Sequence, residues 1–107
     1  MIIRVWSGRA EPSRRDAYPE HFRTVVMPDL TSVDGFVGAH LATRERDGLV
    51  EFVVLTRWVS VAAIHAFAGD DADRAVVEPG AVAALADFDD TVAHYEVVEH
   101  LEASVTP

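Results

Sequence analysis

The chain has 107 residues, with nine Arg against eighteen Asp plus Glu, no Lys and no Cys, giving a net charge of -9. Such acidity repels phosphate backbones and anionic bilayers, so neither nucleic acid nor a membrane surface is an expected partner. Without Cys there are no disulfides, no thiolate catalysis and no thiolate-held zinc or iron–sulfur centre.

Half the residues are hydrophobic and a quarter charged, the composition of a folded domain. One domain is expected over residues 1–107, with a core at 2–98 and a short tail at 99–107. No apolar run approaches the ~20 residues of a membrane span. The opening MIIRVWSGRA lacks the basic region and apolar core of a signal peptide. A cytoplasmic protein is expected.

Ile2 to Ser7 alternates and is β-branched, with Arg4 and Trp6 on one face; it predicts a first strand. Gly8 to Pro12 predicts a turn. Ser13 and Asp16 match the S-x-x-D helix start. Tyr18, Phe22, Val25/Val26, Leu30 and Val33 then recur at helical spacing. Pro19 and Pro28 interrupt that stripe, so a bent helix is expected from about 13 to 30. After Asp34-Gly35, Phe36 to Arg44 predicts a strand with a bulge or close approach at Gly38. Asp47-Gly48 is a strong hairpin signal. Leu49 to Val59 follows as an inner strand, apolar on both faces. Ser60 caps a helix over Val61 to Ala68, with Val61, Ile64 and Phe67 on one side and Gly69 as its stop. Asp70 to Val77 predicts a short helical piece, Pro79-Gly80 a break, and Ala81 to Phe88 another turn or two of helix. Thr91 to Val98 predicts a fourth strand.

The order is β-α-β-β-α-β, an α+β ferredoxin-like pattern: a four-stranded antiparallel sheet with helices on one face. The other face carries apolar residues and no segment is left to cover it. A homodimer, sheet against sheet, is the expected solution.

Four stretches go further. They are IIRVW with its polar-headed helix, Asp34-Gly35-Phe36-Val37-Gly38, the run Phe52-Val53-Val54-Leu55-Thr56-Arg57-Trp58-Val59-Ser60 with Ala63-Ile64-His65-Ala66-Phe67, and His94-Tyr95-Glu96-Val97-Val98. In these the chain resembles the antibiotic biosynthesis monooxygenase family, a branch of the dimeric α+β barrels. The resemblance implies a pocket in each subunit between the sheet and its helices. It implies oxidation of an electron-rich aromatic, polyketide or quinol-like, by O₂ without metal or other cofactor. The superfamily also holds cyclases, isomerases, haem-degrading oxygenases and proteins of unknown role, so a cyclase, an isomerase or a non-catalytic small-molecule-binding dimer is the alternative reading. The positions that carry Asn, Trp and His in the haem-degrading branch fall here on Trp6, Phe67 and about Val76.

The chemistry such a pocket needs is an apolar slot, a proton acceptor and an oxyanion donor. His94 is the first acid–base candidate, with Glu96 on the same strand face; its alternative is a histidine at the dimer seam. His40, among small residues, is the second; its alternative is a sheet histidine with satisfied bonds. Trp6, Trp58 and Phe67 are candidate slot walls or core, and Phe22 lines the same helix faces. His21 reaches toward the pocket mouth or lies on the surface. Arg4 is the candidate oxyanion donor. No metal site is expected. His94, Glu96 and His100 span too much strand, and the Asp70, Asp71, Asp73 cluster lacks a calcium loop's glycine and closing Glu.

Overall fold

The computed structural model describes residues 1–104. Its β-branched and aromatic segments form one antiparallel sheet from β1 (Ile2–Ala10), β2 (Phe36–Arg46), β3 (Leu49–Trp58), β4 (Asp87–Phe88) and β5 (Ala93–Glu96). The order is β2-β3-β1, with β4 and β5 both on the outer edge of β1. Helical segments cover one face. They are α1 (Ala17–His21) and α2 (Met27–Thr31) on one connection, and α3 (Val61–Ala68) and α4 (Pro79–Ala84) on the other. This is the expected ferredoxin-like arrangement, and it follows from alternation. Val50, Phe52, Val54, Thr56 and Trp58 of β3 are buried under the helices. Leu49, Glu51, Val53, Leu55 and Arg57 between them face the open side and are half-buried.

Asp47 and Gly48 both adopt positive φ, 54° and 77°, as a two-residue hairpin turn requires. The register slips between Phe36 and Gly38, so the bulge lies where it was expected. The Ser60 side chain accepts the Ala63 amide at 3.2 Å, and Gly69, at φ 83°, closes α3.

Several expectations are corrected. Gly8 stays in β1 and does not start a turn. A Cβ there would meet Leu85 at 2.9 Å and Trp6 at 3.1 Å, so the glycine answers close packing. The Ser13 start is not used: Ser13 lies in a 3₁₀ turn (Pro12–Arg14) and makes no cap bond. The helix begins instead at Ala17, which puts Pro19 in the first turn where its missing N–H costs nothing. The expected bend is a π turn over Phe22–Val26, closed by the Met27 amide on the Phe22 carbonyl. This wide turn lets Pro28 enter at the start of α2. On α3 the buried residues are Ala63 and Ile64, while Val61 is exposed.

The second half departs most. Residues 70–77 are irregular and do not form a helical piece, and Pro79 starts α4 instead of breaking it. The expected fourth strand, Thr91 to Val98, narrows to β5, which pairs with Ile2 to Val5, and the end of the helix expected over Ala81 to Phe88 is instead β4, paired with Gly8 and Arg9. Residues 90–92 bulge away between them, opposite Trp6. Past β5 the chain is irregular, with Val98 and Leu101 exposed. Residues 105–107 of the expected tail lie outside the described residues.

Candidate functional site

A cavity of about 50 Å³ lies between the helix-covered face of the sheet and the helices. β1 contributes Arg4 and Trp6, two residues apart and therefore on one face. β3 contributes Val54 and Thr56 by the same rule. Tyr18 and His21, on successive turns of the first helical segment, close one side; Phe67 of α3 closes another. The remaining wall includes Val76, Glu78 and Val92, from chain that is neither helix nor strand. Three aromatic rings therefore meet one guanidinium, one imidazole and one carboxylate.

Arg4 is 5% exposed and well anchored. Its Nη1 donates to the Ala72 carbonyl and to His94 Nε2 at 2.9 Å, and its Nη2 donates to the Arg74 carbonyl at 3.0 Å. Burial pulls its pKa below the ordinary value and Asp73 opposes that, yet a guanidinium keeps its charge in proteins. It has five N–H groups, so two remain after these three bonds.

Those bonds set the tautomer of His94. Arg4 can only donate, so His94 Nε2 accepts and the ring proton sits on Nδ1, 3.4 Å from Asp73 Oδ1. The carboxylate beside this imidazole is thus Asp73, where Glu96 was expected. His94 does not line the cavity; it lies behind Arg4 and its free lone pair is already engaged.

The other expected residues separate into two groups. Trp6, Phe67, Arg4 and His21 line the cavity. Trp6 Nε1 also donates to the Asp89 carbonyl at 2.7 Å, its ring 5.7 Å from Tyr18 and 6.4 Å from Phe88. Trp58, Phe22 and His40 are outside it. Trp58 is wholly buried, donates to Thr56 Oγ1 at 2.8 Å, and packs between Phe36 and Phe67. Phe22 lies in the core cluster that holds Phe52, its ring 6.4 Å from Tyr18. His40 is exposed on the open side of the sheet, opposite Leu55.

Two cavity residues escaped the sequence reading as chemical groups. Tyr18 registered only as part of an apolar stripe, but burial and then the Glu78 charge push its hydroxyl pKa far up, so it stays a phenol. Glu78 drew no notice before Pro79-Gly80. It precedes α4 without capping it, which leaves its carboxylate facing His21 Nε2 at 4.0 Å. The signal was the Glu-Pro-Gly run: Gly80 is the only residue type that fits there, because a Cβ would lie 2.6 Å from His21 Nδ1.

Comparison with known proteins gives a consistent result. The antibiotic biosynthesis monooxygenase family model matches residues 1–79. No curated protein matches the chain in sequence. Among solved structures it is similar to a candidate antibiotic biosynthesis monooxygenase from Bacillus cereus, at 19% identity and TM-score 0.67, covering 98% of each chain. It is also similar to a MhuD variant bound to two manganese protoporphyrin IX molecules per active site, at 20% identity and TM-score 0.60, covering 96% of this chain and 100% of that one. A candidate monooxygenase of the same kind from Deinococcus radiodurans matches at 17% identity and TM-score 0.56, covering 98% and 100%. At these identities the likeness establishes the fold.

Proposed function

Since the chain belongs to the antibiotic biosynthesis monooxygenase family, we propose that it oxidises an electron-rich aromatic, of polyketide or quinol type, with O₂ and without metal or flavin. The observation that carries this reading is the cavity: Trp6, Tyr18 and Phe67 form an aromatic slot beside a buried, permanently charged Arg4. Loss of the substrate's acidic proton leaves an electron-rich anion. The two free N–H groups of Arg4 would stabilise it. Transfer of electrons from that anion to O₂ then converts an anthrone-type CH₂ to C=O, with the second oxygen leaving as water. The positions that hold functional residues in the haem-degrading branch carry Trp6, Phe67 and Val76, all in the cavity wall and none able to ligate iron.

A single aromatic ring needs roughly 150 Å³ of space, so the 50 Å³ cavity must open to admit one. Val76, Glu78 and Val92 of the wall belong to no helix or strand. Residues 73–75 and 90–92 are tied to each other, by the Ala75 amide on the Asp90 carbonyl and the Val92 amide on the Asp73 carbonyl.

The test is oxygen uptake with an anthrone or a dihydroxynaphthalene. Stoichiometric consumption that survives a chelator is expected. Turnover that persists without oxygen would replace this reading with a cyclase or isomerase, and unchanged ligand with a binding protein.

The open side of the sheet presents Ile3, Val5, Val53 and Leu55 half-buried and Tyr95 59% exposed. A second copy packed on this face would cover that surface. Native mass spectrometry is expected to give twice the chain mass with no excess. A monomer would refute the pairing, and an added porphyrin or metal mass would refute the cofactor-free site.

A further inference from the structure

We propose that His21, paired with Glu78, is the base that takes the substrate's phenolic proton. The inference rests on the functional reading above and supplies the group which that reading leaves unassigned. Of the imidazoles in the chain, only His21 lines the cavity. Its side chain is 10% exposed, and its Nε2 is buried with no hydrogen-bond partner. A buried polar atom left unpaired is costly, and a cavity in front of it is where the missing partner would come from. A phenol O–H arriving there is that partner.

The surroundings favour the transfer. Breaking the phenol O–H bond and forming an N–H bond on Nε2 makes an imidazolium, and the Glu78 carboxylate, 4.0 Å from that nitrogen, compensates its charge. A Cβ at Gly80 would lie 2.6 Å from Nδ1 and 2.9 Å from Cε1, so the glycine lets the backbone pass close to the ring, and Tyr18 packs 6.0 Å away. The phenolate left behind has Arg4 in the same cavity as its counter-charge. His94 cannot take this role without releasing Arg4, because the guanidinium occupies its lone pair.

The experiment uses 4-nitrophenol, whose phenolate is yellow, together with oxygen uptake on the dihydroxynaphthalene. The full chain is expected to bind 4-nitrophenol and raise its ionised fraction above that of the free probe at the same pH. His21→Gln is expected to bind it, by equilibrium dialysis, without that increase, and to lose oxygen uptake by about 100-fold or more. Added imidazole is expected to restore part of the uptake to His21→Ala, a recovery that a misfolded variant would not show. His100→Ala, an exposed tail substitution, is expected to change neither readout. His21-dependent ionisation in a protein that consumes no oxygen would uphold the base and sink the oxygenase. Full ionisation and full uptake in His21→Gln would overturn the proposal, as would binding by the native chain with no change in the probe's ionisation.

Discussion

Replacing Trp58 by Ala is expected to lower stability by about 3–5 kcal/mol, the largest single effect in the molecule. The indole has no exposed surface and sits in the second core cluster with Leu30, Ala63 and Ile64. Its ring lies 5.4 Å from both Phe36 and Phe67. Removal leaves a hole that strands on one side and α3 on the other cannot close, since the β1–β3 ladder fixes the sheet. Trp58→Phe keeps most of the packing and loses the 2.8 Å bond to Thr56 Oγ1. That variant should cost about 1 kcal/mol for the bond, because the Thr56 hydroxyl still reaches the Arg4 carbonyl at 3.4 Å. Urea unfolding measures both. In Trp58→Phe, 4-nitrophenol binding should shift only modestly, through the cavity residues that touch the indole, Thr56 and Phe67. Loss of binding with stability intact would instead make Trp58 the substrate wall that its strand-end position suggested.

Trp58 also shows what the sequence could and could not reveal. Strands, hairpin and the α3 cap are written in local chemistry: β-branched alternation, Asp47-Gly48 at positive φ, and Ser60 three residues before its acceptor amide. Period-two alternation also placed Arg4 and Trp6 on one face, and both line the cavity. Alternation cannot say which buried aromatic borders empty space. Trp6 and Trp58 look alike as strand-end indoles, and only tertiary packing separates them, Phe36 and Phe67 filling the space around one while residues 90–92 leave the β1 edge beside the other. The second half was less legible because its backbone bonds are long-range. Arg74 pairs with Thr91, and the Asp89 amide bonds to Ser7, so no local period marks residues 70–77 or 89–92. The partners of His94 were hidden for the same reason. Its strand neighbour Glu96 was visible, whereas Arg4 and Asp73 reach it from distant segments.

Replacing Arg4 by Met should lower stability by about 2–4 kcal/mol and oxidation rate by about 100-fold or more. Methionine keeps the aliphatic stem and its packing, so the loss isolates the guanidinium. Three acceptors, the Ala72 and Arg74 carbonyls and His94 Nε2, lose their donor together. The two carbonyls belong to the irregular wall of the cavity, and their bonds to Arg4 help hold that wall against β1. The other side-chain tie from β1 on the cavity side is Trp6 Nε1 to the Asp89 carbonyl. With Arg4 gone, the wall is expected to open locally before the sheet unfolds. Hydrogen exchange should therefore accelerate first at the Ala75 and Val92 amides, which join residues 73–75 to 90–92, while the β1–β3 ladder keeps its protection up to the lowered global limit. Arg4→Lys should not rescue either property, because a single ammonium cannot serve two carbonyls and an imidazole with the geometry of a planar fork. Uniform loss of protection across the sheet would mean that Arg4 supports the whole core and has no special hold on the wall. Wild-type turnover in Arg4→Met, with the wall demonstrably loosened, would remove the guanidinium from the chemistry and leave it a latch.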